Sequence, residues 1–371
     1  MFKRNAQILL TSNFLKSFLV PLLSFNLFCN TFISLVLLIC RLLFRRKGFV
    51  HKIKRWSIAK RELKFIKQRL SDGTLVSLNY DLKFAPSTYG DLFCFLMLSR
   101  YFFQKKINTK VYISNVLEHE KLISDFLPFI SKIIPANDII ILPGKLEKPL
   151  NNSVEVFGES RGLNTTAHQH YFNLLNLLMA AETDRFCKNF LLKSSYFDSV
   201  DIENKIPSKY FVIHCRYIPP ASKFYVLEKM RNTNETQFIN LVKVISEIFP
   251  EKDIIILSDS FGTKFYKSIS SKYGLNCFFP ESEKKNFFSD AKIVLGSEWY
   301  FQLNGGGLCM IAWFSKINYV TFVKAAASEV QWNFNMLTSW ATEQQVYRQI
   351  SLNDEFFSYL KVNKLSIDKN V

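Results

Sequence analysis

The sequence predicts an α/β protein built from two parallel-sheet domains that face one another across a cleft, behind an N-terminal membrane helix. Three features of the sequence lead there. Short β-branched runs alternate with helical stretches after residue 70, the signature of parallel strands covered by helices. A polar run over residues 194–208, with Pro207, divides that alternation into two halves. Ahead of both lies a stretch of 24 uncharged residues, 17–40.

As a helix that stretch would be about 36 Å long, enough for a hydrocarbon layer of about 30 Å. Pro21, Asn26 and Asn30 interrupt it, so a bent or interfacial segment stays open beside a single span. Arg41, Arg45, Arg46, Lys47, Lys52, Lys54 and Arg55 follow it, against Lys3, Arg4 and Lys16 before it. That excess keeps the C-terminal bulk in the cytoplasm, and no small-residue cleavage site follows the segment. Residues 49–70 read as a basic amphipathic helix, with Phe49, Ile53, Trp56, Leu63, Ile66 and Leu70 on one side, suited to an anionic leaflet or to packing on the next domain. Residues 1–70 are therefore expected to form a membrane segment and a basic amphipathic helix.

The first half, residues 71–200, offers strands at 75–80, 110–114, 138–142 and 154–157. Helices are expected near 91–104, 117–132 and 169–192. The second half, residues 201–325, offers strands at 210–215, 253–257, 276–279, 292–295 and 319–323, with helices beginning near Glu235, Gly262, Glu283 and Gly306. Helical segments at 329–345 and 353–360 close the chain within residues 326–371. Each half is long enough to bury a core of its own.

Charge excludes one class of partner. The net charge is +17, but residues 1–70 hold 15 Lys or Arg against the single acid Glu62, leaving 33 basic and 30 acidic residues elsewhere. No broad basic face remains for nucleic acid. The 7 cysteines occur singly, without a CxxC pair, which is reduced cytoplasmic usage with no zinc spacing. His168 and His170 have no third ligand nearby and read as surface or turn residues. No Asp-x-Asp ends a strand, so no metal is expected.

Glycine is scarce, with 12 among 371 residues against an average of about 7%. Three of them stand together at Gly305, Gly306 and Gly307, just ahead of a helix, so something must approach that turn closely. A helix starting there would aim free N–H groups into the loop, a seat for phosphate, unless the turn is merely tight. In open parallel sheets ligands lie beyond the carboxyl ends of strands, which directs attention to the residues after each one. His214 and Arg216 end the strand FVIHCR two residues apart, on one face, and the planar fork of arginine suits a diphosphate. Asp259 follows the strand in ILSDS. In NYDLKFAPSTYGDLF, Gly90 and Asp91 open a helix, where Asp91 is either a helix cap or a general base. Ser87, Thr88 and Tyr89 on the same loop could bind a polyol.

HCRY, ILSD and SDAKIVLGSEWYFQLNGGGLCMIAWFS together resemble the donor-binding half of GT-B glycosyltransferases, particularly the fucosyltransferase-like group with its His-x-Arg strand end. Gly90–Asp91 is similar to the Gly-Asp of the heptosyltransferases at the first strand-to-helix turn of the acceptor half. The resemblance covers roughly residues 75–325 and implies two Rossmann-like domains. Tyr217, Ile218, Pro219 and Pro220 stand where an aspartate often follows the fucosyltransferase His-x-Arg, which leaves the sugar and nucleotide open.

These readings lead to an expected inverting, metal-independent glycosyltransferase at the cytoplasmic membrane face, moving a sugar from a nucleotide-sugar donor to a glycan or lipid-linked acceptor. Asp91 would be the base and Arg216 the leaving-group clamp. His214, Asp259, Ser297, Glu298, Asn304 and Gly305 to Gly307 would hold the donor, and Ser87, Thr88 and Tyr89 the acceptor. No cofactor is expected beyond the substrates. Two other readings stay open: a sugar-nucleotide epimerase of the same architecture, and a non-catalytic membrane-associated scaffold.

Overall fold

The computed structural model of the chain describes residues 75–81, 89–115, 120–134, 138–143, 154–156, 174–175, 177–180, 182–200, 202, 206–222, 232–280, 286–303, 307–324 and 345–350. All of them fall in one compact unit, Trp56–Val371. The expected membrane segment, the basic helix over 49–70 and the closing helix over 353–360 lie outside the described residues. Among the described residues no helix is long and apolar enough to cross a membrane.

The first half is a four-stranded parallel sheet. It comprises β1 (Val76–Asp81), β2 (Thr109–Asn115), β3 (Ile139–Pro143) and β4 (Val154–Val156), in the order β3-β2-β1-β4. Val76, Leu78 and Tyr80 are fully buried, and Ser77 and Asn79 on the other face are nearly so, as in a sheet covered on both sides. Helix α1 (Tyr89–Gln104) follows β1, and α2 (Glu120–Ile133) follows β2.

Helix α1 is central to the fold. Every residue from Leu92 to Leu98 has 0% exposure, so the helix is surrounded rather than amphipathic. Arg100, in its second half, is also buried and is satisfied by the end of α3 (Asp184–Phe190) and by Tyr196. Arg100 Nε donates to Phe190 O at 3.0 Å, and Nη2 donates to Asn189 O at 3.2 Å and to the Tyr196 hydroxyl at 2.7 Å. That packing corrects the expected polar linker. Within it Ser194–Phe197 forms a 3₁₀ turn whose Phe197 is fully buried against Phe129 and Phe288. The single helix expected over 169–192 is likewise broken, with helical residues at 174–175 and 177–179 before α3.

The second sheet contains β5 (Tyr210–His214), β6 (Asp253–Leu257), β7 (Trp299–Leu303), β8 (Asn318–Lys324) and β9 (Gln345–Ile350), all parallel, in the order β6-β5-β7-β8-β9. Helix α4 (Glu235–Ile248) starts at a capping box, with Asn234 Oδ1 accepting from Gln237 N and Gln237 Oε1 from Asn234 N. Helix α5 (Ser260–Tyr273) starts at Asp259 and ends at Gly274, whose φ of 61° is the left-handed cap that glycine favours.

Residues 292–295 are helical, not the expected strand. A capping box at Asn286 and Ser289 opens α6 (Phe287–Gly296), which absorbs KIVL as its last turn. The strand is the aromatic run WYFQL that follows. Residues 276–279 form no strand; Phe278 makes a single bridge to Ile255 beside β6. Gln345, expected to end a helix, begins β9, while residues 329–344 lie outside the described ones.

Period-2 alternation divides the second sheet between two cores. Phe211, Ile213, Ile254, Ile256, Trp299 and Phe301 pack with α4 and α5. Tyr210, Val212, Ile255, Leu257, Tyr300 and Tyr319 belong instead to one apolar cluster with α1, α2 and the first sheet. The halves therefore do not each close a separate core, as length alone suggested. One face of the second sheet is completed by the first half.

Candidate functional site

Strand order locates the places where a ligand would enter. In the second sheet the chain leaves β5 for β6 on one side and later returns to β7 on the other, so the order reverses between β5 and β7 and the loops after them diverge. His214 ends β5 and pairs in register with Gln302, one residue before β7 ends. The His-x-Arg end and the end of β7, which precedes Gly307 in the chain, thus flank one switch point. In the first sheet the reversal lies between β1 and β4, and the chain after β1 leads to Tyr89 and Gly90.

The loop after β5 is held by its backbone. Arg216 O accepts from Thr233 N at 2.8 Å and lies 3.0 Å from the Tyr266 hydroxyl, which also reaches Thr233 O at 2.7 Å. Asn232 clamps Ile218 at both ends of its peptide, accepting from N at 2.8 Å and donating to O at 2.9 Å. Tyr217 stacks on Phe265 with centroids 4.3 Å apart. His214 Nδ1 lies 3.0 Å from the hydroxyl of fully buried Tyr300, whose pKa burial pushes well up, so that the hydroxyl stays neutral.

Asp259 also sits at this edge, but its side chain is occupied as the N-cap of α5, accepting from Gly262 N at 2.7 Å. Gly262 is required there: a Cβ would collide with Ser258 Oγ and lie 3.1 Å from Tyr217 Cβ. Ser258 Oγ in turn donates to Cys215 O at 2.7 Å, which ties the end of β6 to the loop carrying Arg216.

Ser297 and Glu298 do not join this site. Because 292–295 are helical, these two residues precede β7 instead of ending a strand, and so lie at the amino edge of the sheet. Ser297 caps α6, its hydroxyl donating to Val294 O at 2.8 Å. Glu298 N donates to the first residue of β5, Tyr210 O, at 3.0 Å, and its carboxylate pairs with Lys252 Nζ at 2.7 Å.

Asn304, Gly305 and Gly306 lie outside the described residues. Gly307 immediately precedes α7 (Leu308–Trp313), and what approaches it is the start of α1. A Cβ on Gly307 would stand 3.2 Å from Phe287 Cε2 and 3.5 Å from Gly90 N; one on Gly90 would stand 3.3 Å from Gly307 Cα. Sequence reading saw both glycines without seeing that they touch. A side chain at Gly307 would press on the Phe287 ring and meet the start of α1.

Across that contact Tyr89 stacks on Phe287 at 5.0 Å and on Phe126 at 5.6 Å. Its hydroxyl donates to Asp125 Oδ2 at 2.7 Å. Burial and then the Asp125 bond push its pKa up to about 12. Asp91 is the third residue of α1, inside the first turn and past the cap position, where a carboxylate is favoured by the helix dipole. Ser87 and Thr88 lie outside the described residues. Among the described residues no three His, Cys, Asp or Glu side chains gather as a metal site.

Two buried residues that sequence reading passed over complete this edge. Gln302 and Thr321 are adjacent in register on β7 and β8, and both have 0% exposure. The only signal was a glutamine inside an otherwise apolar strand.

No family model matches the chain, and no curated protein does. Among solved structures it is similar to the E. coli heptosyltransferase WaaC with ADP-2-deoxy-2-fluoro heptose, at 8% identity and a TM-score of 0.45, over 80% of this chain and 100% of that one. It is also similar to a glycosyl transferase family 9 protein from Veillonella parvula, at 10% identity and 0.42, over 80% and 90%. A third likeness is to UDP-GlcNAc 2-epimerase from Methanocaldococcus jannaschii, at 12% identity and 0.39, over 78% and 92%. Likeness of this depth decides nothing about the chemistry, which has to be argued from the site.

Proposed function

We propose that the protein is a glycosyltransferase of GT-B type that moves a sugar from a nucleotide-sugar donor to a glycan or lipid-linked acceptor. The observation that supports this reading is that the end of β5, which carries His214, and the end of β7 lie on either side of one switch point, with the start of α1 meeting Gly307 through Gly90. A nucleotide diphosphate suits such a crevice, since the Arg216 guanidinium and the N–H groups of the turn supply donors without a metal. Asp91 follows the glycine that touches the donor half, so a base there would stand within one residue of the Gly-rich turn.

In the proposed reaction an acceptor hydroxyl oxygen forms a bond to the anomeric carbon from the face opposite the diphosphate. The bond from that carbon to the diphosphate oxygen breaks, and its electron pair leaves with the nucleotide. The Asp91 carboxylate takes the hydroxyl proton, while Arg216 stabilises the charge that develops on the leaving group. Inversion follows from the single displacement. The uncharged segment over 17–40 and the basic helix over 49–70 would hold the enzyme on the cytoplasmic face, where a lipid-linked acceptor is confined.

Asp91→Asn in the full-length protein tests the assignment. Turnover should fall about 10²- to 10⁴-fold while affinity for the donor stays near wild type. Unchanged turnover would remove Asp91 as the base. Conversion of the sugar nucleotide to its epimer without an acceptor would favour the epimerase, and a folded protein that binds no sugar nucleotide would favour the scaffold.

A further inference from the structure

We infer that Gln302 and Thr321 form a polar floor beside His214 that receives the sugar hydroxyls of the donor; the inference rests on the nucleotide-sugar reading above. On β7, Trp299 and Phe301 face the core under α4 and α5, while Tyr300 and Gln302 face the first half. Along that face His214, Gln302 and Thr321 stand opposite one another in register on three neighbouring strands, about 5 Å apart. His214 ends β5 and Gln302 stands one residue before the end of β7, beside the switch point, while Thr321 lies midway along β8.

Both amide atoms of Gln302 and the hydroxyl of Thr321 are buried, and among the described residues none has a hydrogen-bond partner. Glutamine is seldom fully buried, and an unpartnered amide in a core is destabilising enough to require a reason. The chemistry of the row indicates what would satisfy it. It offers one amide donor, one amide acceptor and one hydroxyl that can do either. A diphosphate would be repelled by the amide oxygen and would want charge. A neutral group that donates and accepts at neighbouring positions, as vicinal sugar hydroxyls do, matches all three atoms. Tyr300, bonded to His214 on the same face, supports the row from below.

The test uses the full-length protein and two substitutions that keep volume while removing the polar atoms, Gln302→Met and Thr321→Val. In the free protein each should melt at or above the wild-type temperature, because an unsatisfied polar group has been removed. Calorimetry with UDP and UDP-N-acetylglucosamine, ADP and ADP-heptose, and GDP and GDP-fucose gives the second readout. For the pair that binds wild type, Gln302→Met should weaken the nucleotide sugar about tenfold and leave the bare nucleotide unchanged.

Melting several degrees below wild type in both variants would make the row structural and overturn the inference. Equal losses for nucleotide and nucleotide sugar would assign the row to the nucleotide and overturn it too. If wild type binds a donor and Gln302→Met binds it equally well, the inference alone fails. If wild type binds none of these compounds, nor CMP, dTDP and their sugars, the donor reading fails and takes the inference with it.

Discussion

Gly90 and Gly307 meet across the two halves of the protein, and a side chain on Gly90 would press on the backbone of Gly307. A Cβ on Gly90 would lie 3.3 Å from Gly307 Cα and 3.8 Å from Met310 Cγ. The first contact is with backbone, which cannot turn aside. The start of α1 and the turn ahead of α7 are therefore fixed relative to one another by the absence of side chains, and the proposed base and donor turn inherit that spacing.

Gly90→Ala should consequently destabilise the protein, by about 1–3 kcal/mol for overpacking, partly offset by the helix preference of alanine. For a unit of this size that is a fall of about 2–4 °C in melting temperature per kcal/mol. Scanning calorimetry reads it directly; an unchanged melting temperature would show that the halves can separate at this point without loss.

Gly262 and Ser258 should be coupled. Gly262→Ala drives a methyl group into Ser258 Oγ, which is needed for the bond to Cys215 O, so it should be strongly destabilising alone. Ser258→Ala removes that oxygen and leaves Cβ at 3.0 Å. A double-mutant cycle measured by urea unfolding should show part of the loss recovered, with an interaction energy of about 0.5–3 kcal/mol. Strict additivity would contradict the contact.

Tyr89 gives a signature at high pH. Its folded pKa, raised to about 12 by burial and by Asp125, exceeds the ordinary value of 10.0. Its contribution to stability is therefore complete below pH 10 and lost as pH rises towards 12. Tyr89→Phe should lose the Asp125 bond and fall less steeply than wild type between those limits, as followed by thermal melts.

Glu182 acts at the opposite end of the scale. Burial alone would raise its pKa, but hydrogen bonds from Lys105 Nζ at 2.7 Å and the Tyr101 hydroxyl at 2.6 Å outweigh it and lower the pKa below 4.5. Its contribution is present above pH 4.5 and is lost as pH falls through the lowered value. Glu182→Gln should flatten the acid side of the stability profile; an acid limb as steep as wild type would contradict the linkage.

Much of the fold was legible because its signals are local. The helices expected to begin near Glu235 and Gly262 are α4 and α5, which start at Glu235 and Ser260. β5 and β6 are continuous apolar runs of the kind parallel sheets bury. KIVL misled because its β-branched residues favour strands, while the capping box that makes it helical begins six residues earlier at Asn286. That one error carried Ser297 and Glu298 to the wrong edge of the sheet. The Gly90–Gly307 contact joins residues far apart in sequence, and no local pattern announces it. Gln302 was illegible for a related reason: its surroundings are set by β5 and β8, which only the strand order brings to its sides.

The most direct measurement for the central claim is calorimetric titration of the full-length protein with GDP, UDP, ADP, CMP and dTDP and their sugars, with Mg²⁺ and with EDTA, in wild type and Arg216→Ala. The account expects one nucleotide class to bind equally well in EDTA and to lose at least tenfold in affinity in Arg216→Ala, with little change in melting temperature of the free protein, because the loop is held by the Arg216 carbonyl. Binding that is abolished by EDTA, or that is unaffected by Arg216→Ala, would contradict the assignment of the donor site to the edge between β5 and β7.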